Sequence, residues 1–395
     1  MDYKLLFEVS VYRKDRISSD KVDKENYIST ENMLPNRGGV ETATTVASAK
    51  TFPAYKKGDI LLSNIRPYFK KIWYADKEGG CSNDVLVVKG NKTVDNKFLY
   101  YVLSDNNFFN YSTVTSKGTK MPRGSKNAIM KYWVPDLDLL TQRKIADILS
   151  SYDELIKANN ERIELLEQVA QELYREWFVR FRFPGHETAE FENGIPEGWA
   201  YRRADEVIDF NPTLKTGNQT EFTIIPMEAL STNSMVLDSG CFVRQDSISG
   251  RRSQNGDTLL AKITPCLENG KTGFVMGMPE NEVLGGSTEF VVMRSKALTP
   301  HYVYCIARSY YFRQTAILSM NGADGRQRVD EDKLKSTKIL QPEKTVLDHF
   351  ETIVTPIFDG VYQMVQENKN LIQQRDLLLP RLMSGKLEVQ YALND

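Results

Sequence analysis

Cysteine is scarce in this chain, and the four present (Cys81, Cys241, Cys266 and Cys305) stand far apart with no C-x-x-C pair. The histidines His186, His301 and His349 are equally scattered, so no metal-binding finger or ribbon spacing exists. The same scarcity argues against a disulfide framework and for a reducing, cytoplasmic setting. An excess of one charge is also missing. Lys and Arg number 51 against 52 Asp and Glu, a formal net charge of −1. A chain so balanced is not a basic coat for any polyanion; a nucleic-acid surface has to be a local patch. No stretch has the length and apolarity of a membrane span. The opening MDYKLLFEVSVYRKDRISSD is charged and mixed, without the apolar core of a leader.

The constellations of common enzymes are missing as well. Gly270-Lys271-Thr272 has the end of a phosphate-binding loop, but the position that needs its first glycine is Pro265. Asn211-Pro212-Thr213-Leu214 lacks the second proline and the aromatic of the amino-methyltransferase tetrad. No glycine-rich turn suits a dinucleotide or S-adenosylmethionine. Asp136 and Asp138 are followed by no acid-x-Lys pair, and an aspartate just before a helix reads as a cap. Neither a catalytic residue nor a metal ligand is indicated. Two alternatives stay open: a methyltransferase or nuclease with an unrecognised site, and a helical protein-only scaffold.

What is present is globular, with 41% hydrophobic and 26% charged residues over 395 positions, enough for two or three domains. It is also said twice. Gly58-Asp59-Ile60-Leu61-Leu62 returns as Gly256-Asp257-Thr258-Leu259-Leu260, each followed by a proline, Pro67 and Pro265. Ser82-Asn83-Asp84-Val85-Leu86-Val87-Val88 has a looser echo in Ser287-Thr288-Glu289-Phe290-Val291-Val292. FLYYVLSDNNFF from Phe98 is matched by YVYCIARSYYFR from Tyr302, and each copy then reaches a loop of glycine and basic residues. The shared order of these matches predicts an internal duplication.

A long helical pattern follows each copy. In the first, Ile145, Leu149, Tyr152, Ile156, Asn159, Ile163, Leu166, Ala170, Leu173 and Trp177 step by fours and threes, all apolar except Asn159. In the second, Phe350, Val354, Ile357, Val361, Met364, Asn368, Leu371, Arg375, Leu378 and Leu382 do the same, broken only at Asn368 and Arg375. This is the seam of a coiled coil. The first helix is expected from about Gln142 to Arg180, roughly 55–60 Å, stopping at Phe183-Pro184-Gly185. The second is expected to end near Ser384-Gly385, with Gly385 as cap. Pro356 is expected to kink it or delay its start, and Pro380 to distort its last turn. Packed antiparallel and end to end, the helices set Ile145 against Leu382 and Trp177 against Phe350. The same register pairs Asn159 with Asn368 and lays Arg375 on the ring of Tyr152.

The basic loops carry the candidate binding chemistry. Lys117, Lys120, Arg123 and Lys126 lie in SKGTKMPRGSK, which has no acid and two glycines. Arg66, Lys70 and Lys71 stand beside Tyr68, Phe69 and Trp73. Their counterparts are Arg251, Arg252, Lys262 and Lys271, and the loop NGADGRQR with Arg326, Gln327 and Arg328. Cations suit phosphates, while arginine and glutamine suit the edges of guanine and adenine. Two non-identical readers on a rigid spacer would read an asymmetric, split duplex site, the spacer setting the gap.

At this point the sequence resembles the specificity subunits of type I restriction-modification systems, over essentially the whole chain. QRKIADILSSYDELIKANNERIELLEQVAQELYREWFVRFRFPG, from Gln142 to Gly185, is similar to the family's central conserved helix. Ile195-Pro196-Glu197-Gly198-Trp199 resembles the opening of its target-recognition domain, and Leu378 to Gly385 (LLPRLMSG) the end of its distal helix. The first block, starting Met1-Asp2-Tyr3-Lys4, lacks such an opening. The resemblance implies an α+β fold: two homologous α/β target-recognition domains, 1–141 and 184–344, with an internal pseudo-twofold repeat. Separating them is a long antiparallel two-helix coiled coil formed by 142–183 and 345–395. It implies a non-catalytic, DNA-binding chain with no cofactor of its own. It implies two copies of a modification subunit using S-adenosylmethionine, and a restriction subunit using ATP and Mg for translocation and cleavage.

Overall fold

The computed structural model describes residues 2–323, 325–384, 386 and 387. The expected cap Gly385 lies outside them. The chain forms two compact units, residues 1–156 with 370–395, and residues 157–369. Both are α+β, and each of the two longest helices contributes to both.

In the first unit an antiparallel sheet runs in the order Ser10–Tyr12, Val85–Gly90, Ile60–Ser63, Ile72–Tyr74. In the second unit the order is Ile208–Phe210, Phe290–Ser295, Thr258–Ala261, Thr272–Phe274, again antiparallel. These central strands are buried at almost every position and mostly apolar, as expected of strands covered on both faces. Each unit adds a second sheet with a shared three-strand part. Tyr27–Ile28 lies parallel to Gly79–Cys81, which pairs with Thr51–Tyr55; Phe222–Ile225 lies parallel to Leu284–Gly286, which pairs with Arg251–Ser253. The fourth strand differs: Arg16–Ser18 extends one end in the first unit, and Val243–Gln245 the other end in the second.

The Gly-Asp motif has a local cause. Gly58 and Gly256 sit at φ +87° and +86°, a left-handed turn that disfavours a side chain. Asp59 then accepts from the Lys56 backbone N–H, and Asp257 from that of Gln254, both at 2.7 Å. Both carboxylates are buried and paired with arginine, but from different places. Arg13 reaches Asp59 from beyond an edge strand, and Arg294 reaches Asp257 from the adjacent central strand. Opening strands dock equivalently: Tyr3–Leu5 pairs with Trp133–Pro135, and Ala200–Arg203 with Lys338–Gln341. The first strand therefore docks without the Pro-Glu-Gly-Trp opening. In the second unit that opening places buried Trp199 against Phe183, ring centroids 4.9 Å apart.

The first long helix begins at Leu139, earlier than expected, because Asp138 accepts from the backbone of Leu140 and Thr141. It stays α-helical to Tyr174 and continues as a π-helical turn, Arg175–Val179. Phe181, at φ +58°, ends it before the Pro-Gly pair is reached. The wider π turn brings neighbouring Trp177 and Phe178 both into the core, where each packs on Phe350. The second helix, Lys344–Met383, runs through Pro356 and Pro380 without interruption, correcting the expected late start. Both prolines face solvent, where water can take the carbonyls they leave free.

Seam residues are buried or half-buried within each unit. In the first, Ile145 and Leu149 share a core with Leu379 and Leu382, while Tyr152, Ile156, Leu371 and Leu378 are half-buried. In the second, Ile163, Ala170 and Trp177 share a core with Phe350, Val354 and Val361, flanked by Leu166, Leu173, Ile357 and Met364. Asn159 donates to Asn368 at 3.0 Å. The expected stacking of Arg375 on Tyr152 is not formed. Arg375 donates instead to Asp153 at 2.5 Å and to Asp376 at 2.8 Å, since a half-buried guanidinium gains more from carboxylates than from a ring face. Fully buried Phe358 lies outside the seam and packs on Phe274, His301 and Tyr304, so this helix has two apolar contacts rather than one. Among the described residues no helix is long and apolar enough to cross a membrane.

Candidate nucleic-acid interface

The basic loop of each unit is a closed hairpin held on the segment after a central strand. In the first unit Lys117 and Arg123 exchange both backbone hydrogen bonds, each 2.9 Å. Arg66 N–H then donates to Pro122 at 2.8 Å, and Gly124 N–H to Asn64 at 2.9 Å. In the second unit Asn321 and Arg328 make the same exchange, each bond again 2.9 Å. Thr264 N–H donates to Gln327 at 3.1 Å, and Val329 N–H to Lys262 at 2.9 Å. Glycine makes the reversals possible: Gly118 lies at φ +96°, Gly322 at +126° and Gly325 at +77°.

This geometry gathers part of the sequence-derived set. Arg66 lies beside the first loop, and Lys117, Lys120, Arg123 and Lys126 are all exposed on it or just after it. Of these four, only Arg123 has a side-chain partner among the described residues, Asp84 at 3.2 Å. In the second loop Arg326 is exposed and has no side-chain partner among the described residues, Gln327 is half-buried, and Arg328 forks onto Glu289. Its hydrogen bonds hold the Glu289 carboxyl below its ordinary range.

Other members are engaged inside their units. Arg66 is half-buried, its Nε enclosed with no hydrogen-bond partner among the described residues. Lys70 donates to Asn106 at 2.8 Å and Lys71 to the Thr30 carbonyl at 2.7 Å, burial pushing the Lys71 ammonium down. Arg251 and Lys262 converge on Glu331 at 2.8 and 3.1 Å. Arg252 donates to the Leu214 carbonyl, and Lys271 to that of Met227 at 3.2 Å. Glu331, which the sequence did not single out, also accepts from Asn211 at 2.8 Å. Asn211 moreover accepts from the Val292 backbone N–H at 3.0 Å, so its amide is occupied internally. Asp84, Glu289 and Glu331 carried one usable signal: two of them stand at matching points of the similar Ser82 and Ser287 motifs.

The fold places the chain with α+β proteins of one kind. It shares its fold with the type I restriction-modification S subunit from M. genitalium, at TM-score 0.57 and 14% identity, covering 98% of this chain and 96% of that one. The family described as type I restriction modification DNA specificity domain matches residues 6–168. The MjaIX specificity subunit of Methanocaldococcus jannaschii, a type I restriction enzyme subunit, is 23% identical over 90% of this chain and 82% of its own length. The MjaVIII specificity subunit of the same organism is 23% identical over 96% and 91%. The EcoEI specificity subunit of Escherichia coli is 26% identical over 68% and 47%. The chain is thus similar, along most of its length, to specificity subunits of type I restriction enzymes, and its residues 6–168 match that family's DNA specificity domain.

Proposed function

We propose that this chain reads a bipartite, asymmetric duplex site, one half through each of two related target-recognition domains, 1–141 and 184–344. The observation that carries the reading is the glycine-bent basic hairpin, closed and held by equivalent backbone bonds in both units. A loop so held presents cations on a fixed backbone, which favours selective over indiscriminate contact with DNA. The long helices, in 142–183 and 345–395, act as an antiparallel coiled-coil spacer between half-sites and as docking surfaces for two modification subunits. Those partners hold S-adenosylmethionine, and a restriction subunit uses ATP and Mg, in the cytoplasm.

Exposed loop cations supply affinity, whereas Lys71, Arg252, Lys262 and Lys271 chiefly hold the fold around the loop. The test is salt-dependent binding of the full chain to duplexes bearing the methylated site mapped in cells. Neutralising Lys117, Lys120 and Arg123 together should weaken binding to all duplexes and lower the salt slope by about two to three. Unchanged affinity and slope would remove the first loop from the interface. Binding of S-adenosylmethionine by the isolated chain would favour the methyltransferase alternative, and salt-insensitive or absent duplex binding the scaffold.

A further inference from the structure

Arg328 and Glu289 form a contact with a specific chemical consequence. Arg328 Nε donates to both Glu289 oxygens, at 3.0 and 2.9 Å, and its Nη2 donates to one of them at 2.7 Å. The carboxylate thus grips the side of the guanidinium. Both hydrogens of Nη1 and one of Nη2 remain without a partner among the described residues. That free end is the two-donor fork that matches O6 and N7 of guanine in the major groove. The arginine side chain is 50% exposed and the glutamate 24%, so the acid is recessed and the base-matching end faces outward.

The holder is itself held. Glu289 accepts at its backbone carbonyl from Lys262 N–H at 3.0 Å, and its own N–H donates to Ser287 Oγ at 3.1 Å. Arg328 is fixed at its backbone by Asn321. An isolated surface ion pair would mean little. This one recurs: in the first unit Asp84 stands at the matching point, accepts at its carbonyl from Asn64 N–H at 2.8 Å, and meets Arg123 through one nitrogen at 3.2 Å. Four other cations of the second unit contrast with it, since Arg251, Arg252, Lys262 and Lys271 donate to internal acceptors.

We propose that Glu289 is a positioning residue that aims Arg328 end-on at a guanine in the half-site read by the second unit. This rests on the DNA-reading function proposed above. Asp84 and Arg123 are a looser version of the same device, which contributes more to phosphate affinity than to base choice.

The test uses the full chain co-purified with its modification partner and duplexes carrying the mapped site. Each guanine is replaced in turn by 7-deazaguanine, which lacks the N7 acceptor but keeps its base pairing. One replacement should weaken wild-type binding by about tenfold. Arg328→Ala and Glu289→Gln should bind the unmodified site less tightly, and that same replacement should then cost less than about twofold more. Arg328→Lys, which keeps the charge but not the fork, should behave like Arg328→Ala. Against scrambled duplexes Glu289→Gln should bind as tightly as wild type or more so, because a negative charge has been removed. The proposal is overturned if no guanine is sensitive, or if the sensitive guanine costs the same about tenfold in Arg328→Ala and Glu289→Gln. It is also overturned if Glu289→Gln weakens cognate and scrambled duplexes equally, the mark of a structural bridge. A wild-type complex that binds no duplex would defeat the DNA-reading function itself, a result distinct from any of these.

Discussion

Asn159 donates through Nδ2 to Oδ1 of Asn368 at 3.0 Å, with both residues buried. The pair does not stand alone. Asn159 also donates to Glu367 at 2.9 Å, and Asn368 donates to Asn160 at 2.9 Å. Two amides therefore tie adjacent turns of the helices in this unit, at the one level where each apolar ladder carries asparagine.

Asn159→Ala should lower stability by about 1–3 kcal/mol, read from the urea midpoint, because it leaves buried Asn368 short of a partner. Asn159→Leu combined with Asn368→Leu should recover much of that loss, since an apolar layer replaces both amides together. A double variant whose loss equals the sum of the two single leucine variants would show that the amides act independently, contrary to their bond.

Arg375 offers a second test, in the first unit. Asp153 accepts from Arg375 and, at 2.6 Å, from the Tyr101 hydroxyl. Burial works against the Arg375 charge, yet Asp153 and Asp376 outweigh it and hold the guanidinium above its ordinary range. Arg375→Ala should destabilise by about 2 kcal/mol, and Arg375→Lys by less, because one charge-assisted contact survives. Asp153→Asn should lose less than Arg375→Ala, keeping an acceptor for both donors. If Arg375→Ala leaves thermal and urea unfolding unchanged, the network adds nothing to stability.

The cysteines give a labelling pattern. Burial pushes the Cys81 thiol up to about 12, and pushes the buried Cys305 thiol up as well. At about pH 8 both stay protonated and shielded, so a thiol reagent should reach them only on unfolding. Half-buried Cys266 and Cys241 should label first, Cys241 slowly because burial and Asp238 raise its thiol too. Mass spectrometry of the partly labelled native chain decides it; early modification of Cys81 or Cys305 would contradict their burial.

Much of this architecture is legible in the residues themselves. The Gly-Asp turns, the alternating fours and threes of the helices and the paired asparagines follow from local rules of backbone freedom and helical period. They need no distant partner to be recognised. Phe358 and Phe178 were not legible, because a helix that packs on two sides departs from a single seam and the second side is set by residues far along the chain. Pro356 misled for a similar reason: its cost depends on whether the carbonyl it frees meets water.

The sequence by itself determined the Gly-Asp turns, the helical ladders and which segments carry basic residues, since each depends on neighbours within a few turns. Only the tertiary structure decided which cations are free. Lys262 and Arg251 look in sequence like Lys117 and Arg326, yet Glu331 takes the first two while the others have no side-chain partner among the described residues. An ion pair depends on where two distant carbons are brought in space, and no local pattern encodes that distance.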